Sequence, residues 1–143
     1  MRIHEVLKSK GDSVVTVTPD TSVRQLLAVL AEHNIGAVVV STDGVQVGGI
    51  VSERDVVRGL AKGVEVLDAA VSEIMTPQVV SVAPEQTVHE LAKLMTERRV
   101  RHVPVVVDGS LRGLVSIGDV VKSRIGELEF ERDQLTSYVA NTQ

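Results

Sequence analysis

The sequence predicts an α/β fold: two tandem copies of one β-α-β-β-α unit, followed by a long C-terminal helix. Three observations carry this. The stretch Gly113 to Asp119, Gly-Leu-Val-Ser-Ile-Gly-Asp, is repeated at Gly49 to Asp55 as Gly-Ile-Val-Ser-Glu-Arg-Asp, with the glycine, serine and aspartate at the same internal spacing. Short apolar runs ahead of it in each copy end at Pro19 and Pro84, which lie 65 positions apart. From Asp119 onward nothing breaks a helix except a tolerable Gly126.

Taken in order, each copy begins with a lead-in, Ile3 to Leu7 and Val71 to Met75. The opening strands are Val14 to Val17 and Val79 to Val82, each closed by its proline. Ser22 to Gln25 has the form of a capping box, and Val23, Leu26, Leu27 and Leu30 follow helical spacing; Thr87 to Glu90 with Val88, Leu91 and Met95 does the same. The middle strands, Ala37 to Val40 and Val103 to Val107, run into Asp43-Gly44 and Asp108-Gly109, strong hairpin signals. The return strands are Val47 to Val51 and Leu111 to Val115. Past the hairpin the offset between copies falls to 64, so the first copy carries one extra residue, at its turn or in the Gly48-Gly49 pair, with a bulge as the expected place.

A helix opens at each Ser-x-x-Asp, because serine at the N-cap accepts an orphan backbone N–H and the acid lies where the helix dipole favours negative charge. The first such helix ends near Gly63. The second continues into the tail, where Val121, Ile125, Leu128, Leu135 and Val139 keep heptad spacing with Arg132 interrupting one core position. Two courses are open to this tail: packing on a partner subunit, which is the reading adopted, or folding back on its own body. The expected boundaries are 1–67 for the first unit, 68–125 for the second and 126–143 for the helical extension.

At 143 residues the chain is the size of one ordinary domain. Cysteine is absent, which excludes a disulfide framework, a thiolate nucleophile and a cysteine-based zinc site. The start of the sequence lacks the apolar core of a signal peptide and no later run is long enough to span a membrane, so a cytoplasmic protein is expected. A formal charge of −4 and a pI near 5.5 exclude the basic excess behind non-specific nucleic-acid binding, apart from the cluster Arg98, Arg99, Arg101 and His102. The histidines are scattered without metal-ligand spacing and no phosphate-binding glycine loop occurs, so neither metal, catalytic residue nor enzyme activity is expected.

The two β-α-β-β-α copies, each ending in Gly-apolar-x-Ser-x-x-Asp, with Met75-Thr76-Pro77 before the second opening strand and Arg101-His102-Val103-Pro104-Val105 on its middle strand, resemble a tandem pair of CBS (cystathionine β-synthase) domains. The likeness covers residues 1 to 125. It implies two repeats related by pseudo-two-fold symmetry and packed through their sheets, with clefts that in many members bind adenosine nucleotides and regulate a partner. No catalytic domain is attached, so the chain looks like a stand-alone module.

By this resemblance Asp119 holds a ribose and Ser116 the phosphate side, with Asp55 and Ser52 in the same roles in the first copy. Val80 and Val15 line the base slot beside Thr76, and Arg101 and His102 match positions that face phosphates. The chemistry suits these roles: an ionised carboxylate is acceptor-only and can take both ribose hydroxyls, while a serine hydroxyl beside free helix N–H groups suits phosphate. The counterparts of Arg101 and His102 are Gly36 and Ala37, uncharged, although Arg54 can compensate; the second site is therefore favoured for phosphate-bearing ligands. Pro104 removes a backbone donor, at a ligand-facing edge or an edge strand. The expected activity is a regulatory sensor of adenosine-containing nucleotides (AMP, ADP, ATP or an NAD species), a homodimer acting on an unidentified regulated protein, with no obligatory cofactor and neither nucleic acid nor membrane as partner. The rival is a ligand-free interaction or dimerisation module whose Ser-x-x-Asp motifs only cap helices.

Overall fold

The computed structural model of the chain describes residues 1–11 and 13–142. Asp12 and Gln143 lie outside the described residues.

Local signals set most of the helix starts. Helix α1 (Ile3–Lys10) buries Ile3 and Val6 on one side. Helix α2 (Val23–His33) opens on a complete capping box: the Ser22 hydroxyl accepts from the Gln25 N–H at 3.1 Å and the Gln25 side chain accepts from the Ser22 N–H at 3.0 Å. Helix α3 (Glu53–Leu60) opens on the same device at Ser52 and Asp55, and α4 (Val88–Arg98) is capped by Thr87. Helix α5 (Ile117–Thr142) is the long terminal helix the sequence predicts, at 26 residues.

Strands β1 (Thr16–Val17), β2 (Ala37–Val40) and β3 (Gly49–Ser52) form one sheet in that order, β1 parallel and β3 antiparallel to β2. In the second copy β4 (His102–Val107) pairs with β5 (Ser110–Ser116), and the opening strand expected over Val79 to Val82 is reduced to a single bridge of Val82 to Val105. Pro104 accounts for the loss. Val82 donates to the Pro104 carbonyl at 3.0 Å and accepts from the Val106 N–H at 2.9 Å; the next ladder bond would run from residue 104 to the Val80 carbonyl, and proline has no N–H to give.

The hairpins also differ. Asp108 and Gly109, with φ of 50° and 78°, make the tight two-residue turn that their sequence signals. At Asp43-Gly44 a longer loop forms instead, in which the Asp43 carboxylate accepts from the Val45 and Gln46 N–H groups and the Ser41 hydroxyl from the Gly44 N–H. The extra residue of the first copy is taken up in this loop, and the bulge falls in the second copy, where the register slips between Val105 and Val106 opposite Arg112.

Packing crosses between the repeats. Ile3 and Val6 of α1 belong to the core built by Val82, Val88, Leu91, Met95, Val103 and Val115, all of the second copy. Val71 joins the core of the first copy, with Ile74 and Met75 packed against it. The hydrogen bonds repeat the exchange: Ile3 N–H to the Gln86 carbonyl and Val88 N–H to the Met1 carbonyl on one side, Val71 N–H to the Thr21 carbonyl and Val23 N–H to the Ala69 carbonyl on the other. Val38 and Val40 face the core of their own repeat, yet Ala37 and Val39, on the opposite face of β2, are equally buried.

Candidate functional site

The register of each sheet delivers the residues singled out above to one end of it. In the first copy Ala37 pairs with Ser52, the N-cap of α3, and Val15 lies just before the Thr16 to Val39 pair, at the Ala37 end of β2. Asp55 sits three residues beyond the cap and Arg54 between them, exposed. In the second copy His102 pairs with Ser116, the residue before α5, Pro104 pairs with Leu114, and Val80 lies two residues before the Val82 bridge, at the His102 end of β4. Thr76 goes with the first set: it bridges Ile50, exchanging hydrogen bonds of 2.8 and 3.0 Å two residues before Ser52.

Both carboxylates are engaged by their own helix starts through a single oxygen. Asp55 Oδ2 accepts from the Ser52 N–H at 2.8 Å and the Ser52 hydroxyl at 3.1 Å. Asp119 Oδ2 does the same with Ser116, at 2.9 and 3.0 Å. Among the described residues the Oδ1 atoms are left for other donors. The copies part at the next contact, because the Lys10 ammonium, from the last turn of α1, reaches Asp119 Oδ2 and the Leu114 carbonyl, both at 2.8 Å. Burial alone would raise the Asp119 carboxyl; the Lys10 hydrogen bond, with those from Ser116 and the lysine charge, outweighs it and holds the group below the ordinary carboxylate value.

His102 is half-buried, and burial pushes its imidazole below the ordinary histidine value, with Lys10 and Arg101 acting in the same direction and Glu53 and Asp119 against it. Neutral His102 offers one N–H donor and one acceptor, where the cation would offer two donors. Glu53 belongs to the first copy, so the starts of α3 and α5 act on one imidazole. Gly36 shows why the two sites differ in charge. Its carbonyl receives the Glu53 N–H, as the Arg101 carbonyl receives that of Ile117, and a Cβ at Gly36 would stand 3.3 Å from Glu53 Oε1. Thus the first copy presents an acid where the second presents Arg101 beside an apolar Ile117.

Two cavities flank the helix starts in equivalent positions. One, of about 610 Å³, lies between α3 and the second lead-in, with Asp55, Arg58, Lys62, Glu73 and Ile74 in its wall. The other, of about 400 Å³, lies between α5 and α1, with Val6, Lys10, Asp119, Lys122 and Phe130. Arg101 and His102 line neither. No group of three metal-ligating side chains occurs among the described residues, and no helix there is long and apolar enough to cross a membrane.

Sequence reasoning missed Lys10 and Glu53, since no periodicity connects either with the opposite copy. One signal was present: the glycine repeated before each serine. A Cβ at Gly49 would come within 2.7 Å of Met75 Sδ and 2.9 Å of the Thr76 carbonyl, and one at Gly113 within 2.5 Å of Leu7 Cδ2. These glycines admit the lead-in of the other repeat, the same crossing that brings Lys10 to Asp119.

The comparisons with known proteins bear on the family and the fold. The CBS domain family profile matches residues 6–62 and 71–126. The mitochondrial CBS domain-containing protein CBSX3 of Arabidopsis thaliana is 37% identical over 146 residues, covering 96% of this chain and 71% of the plant protein. The crystal structure of a CBS-domain-containing protein of Agrobacterium tumefaciens superposes with a TM-score of 0.83 at 46% identity, over 87% of this chain and 99% of that one. A CBS domain pair crystallised in complex with 5′-methylthioadenosine and S-adenosyl-L-methionine gives a TM-score of 0.76 over 85% of this chain and 98% of its own; at 23% identity that likeness is one of fold.

Proposed function

The chain belongs to the CBS-domain family as a tandem pair of repeats, and from that premise we propose that it is a non-catalytic regulatory module that binds an adenosine-containing nucleotide. The observation that carries the proposal is the company of Asp119: an ionised carboxylate with one oxygen uncommitted, bonded to Lys10 and near His102, which the exposed Arg101 precedes in the chain. In this proposal Asp119 Oδ1 accepts from the ribose and Ser116, Arg101 and His102 meet the phosphates. Val80 lines the base slot and its carbonyl, which Pro104 cannot serve, accepts from the exocyclic amine. Ser52, Arg54, Asp55, Ala37, Val15 and Thr76 make the weaker site, that of the first copy, acidic at Glu53. The 5′-methylthioadenosine and S-adenosyl-L-methionine of the related pair support an adenosine ligand.

A ligand held where both helix starts converge favours one relative orientation of the repeats, and an as yet unidentified partner protein reads that orientation. The module is proposed to work as a homodimer, bound to neither nucleic acid nor membrane. A cytoplasmic setting is part of the proposal, set against the mitochondrial location in the plant relative's name. The test is a thermal-shift series with AMP, ADP, ATP, NAD, 5′-methylthioadenosine and S-adenosyl-L-methionine, with guanosine nucleotides as controls. A ligand at 100 times its Kd stabilises by about 2.7 kcal/mol, which the melting curve resolves.

One observation favours the rival reading. Both Ser-x-x-Asp pairs form complete hydrogen-bonded helix starts from their own groups, and packing accounts for the repeated glycine. If no adenosine compound shifts the melting curve, the chain is an interaction module and these motifs are caps.

A further inference from the structure

Helix α5 exposes Val121, Ile125 and Leu128, each about half open to solvent, and Leu135 continues the same line. The opposite side of the helix meets the body, where Val120 is buried and Asp119, Ser123 and Glu127 are partly so. The apolar line is flanked by exposed charges in a definite order: Lys122 and then Glu129 along one edge, Arg124 and then Glu131 along the other. Each edge is therefore basic near the body and acidic two turns further out.

We infer that this face is covered by the same face of a second copy running antiparallel, with Ile125 of each chain against Leu128 of the other. The inference deepens the homodimer proposed above and rests on it. In this register Lys122 of one copy meets Glu129 of the other, Arg124 meets Glu131, and the two-fold axis repeats both pairs. Sliding the helices by one heptad would set Glu129 against Glu129 and Glu131 against Glu131. A parallel pair would keep Arg124 near Glu129 but stack Arg132 on Arg132 in the apolar seam. Arg124 already bonds Glu127 of its own helix at 3.0 Å, so in the pair it stands between two carboxylates. The same register brings Leu135 opposite Gly118, next to the half-open Ile117 of the other copy. Each tail thus runs past the Ser116 and Asp119 helix start of its partner, an isologous arrangement in which assembly and the candidate site are adjacent.

The chain has no cysteine, which makes disulfide trapping clean. Ile125→Cys and Leu128→Cys chains, oxidised with glutathione disulfide, should cross-link when mixed and not when incubated singly. Cross-linking of either variant with itself overturns the antiparallel register while leaving a dimer. Sedimentation of the wild type as a monomer at micromolar concentration overturns the inference and the homodimer together, and leaves the nucleotide thermal-shift result untouched. Lys122→Glu with Arg124→Glu should raise the dimer Kd by about tenfold or more at low salt, and adding Glu129→Lys with Glu131→Lys should restore it; an unchanged Kd in the first variant also overturns the register.

Discussion

Lys10 donates to Asp119 across 109 positions of sequence, joining the end of the first helix to the start of the last at 2.8 Å. The lysine belongs to the lead-in of one repeat and the acid to the terminal helix of the other, so the contact exists only when the two repeats are interlocked.

Lys10→Gln should cost little stability at neutral pH, under about 1 kcal/mol, because the lysine side chain is well exposed and exposed pairs are weak. The sign of its pH dependence is fixed. The folded-state carboxyl of Asp119 lies below its ordinary value, so the stabilisation is present above that value and fades as pH falls through the folded one. Urea unfolding of both proteins between pH 7 and about pH 3 should show the difference between them shrinking at the acid end; a difference that grows there would contradict the pairing.

Asp119→Asn separates capping from ligand binding. As a capping acid the group contributes about 0.3 to 1 kcal/mol through the helix dipole, whereas a charged acceptor of ribose hydroxyls contributes about 1.5 to 3 kcal/mol. The melting temperature should therefore fall slightly and nucleotide affinity, by calorimetry, by roughly tenfold or more. Asp55→Asn should cost less for phosphate-rich ligands. Loss of stability with affinity unchanged would mark Asp119 as a cap alone.

His102 supplies a second pH signature. Its folded value is depressed, so its contribution is complete above the ordinary imidazole value of about 6.5 and is lost as pH falls through the folded value. Between pH 7 and pH 5 the wild type should lose stability that His102→Gln does not lose. The imidazole proton resonances, followed by NMR over the same range, should titrate below those of an exposed histidine.

Gly49→Ala and Gly113→Ala probe the crossed lead-ins, and they should differ in rescue. At Gly113 the obstacle is the end of the Leu7 side chain, so Leu7→Ala in the same chain should recover most of the loss. At Gly49 the Thr76 carbonyl remains after Met75 is shortened, so Met75→Ala should recover little of an overpacking cost of about 1 to 3 kcal/mol. Chemical denaturation of the four variants measures both.

Most of what the sequence foretold is local in origin. The Ser22 and Ser52 capping boxes, the Asp108-Gly109 turn and the long α5 each follow from residues within a few positions of one another, and all form as expected. The misses are of two kinds. Pro104 silenced a strand far upstream in the chain, Val79 to Val82, because the donor it lacks belongs to a non-local ladder. Lys10 and Glu53 escaped because the approach of a lead-in to the other repeat leaves no periodic trace, only a glycine whose necessity shows once its neighbour is known. Asp43-Gly44 lies between, with the right turn residues but a loop stabilised by side chains of Ser41 and Asp43 in place of a tight hairpin.

The exchanged lead-ins also bear on how the chain acquires its structure. Ile3 and Val6 are fully or almost fully buried, yet their partners run from Val82 to Val120, so on the ribosome α1 emerges long before anything exists for it to cover. Its first backbone partner in the second half, the Pro84 carbonyl that accepts from the His4 N–H, closes a loop that encloses the whole remainder of the first repeat, an entropic cost met before any packing rewards it. Neither half can complete its core while the other is missing, and separation of the chain between the repeats would leave each fragment with an apolar groove where the other's lead-in belongs. Folding is accordingly a single late event involving both halves, and the nascent first repeat is a species that must be kept from sticking to its neighbours until the last helix is made.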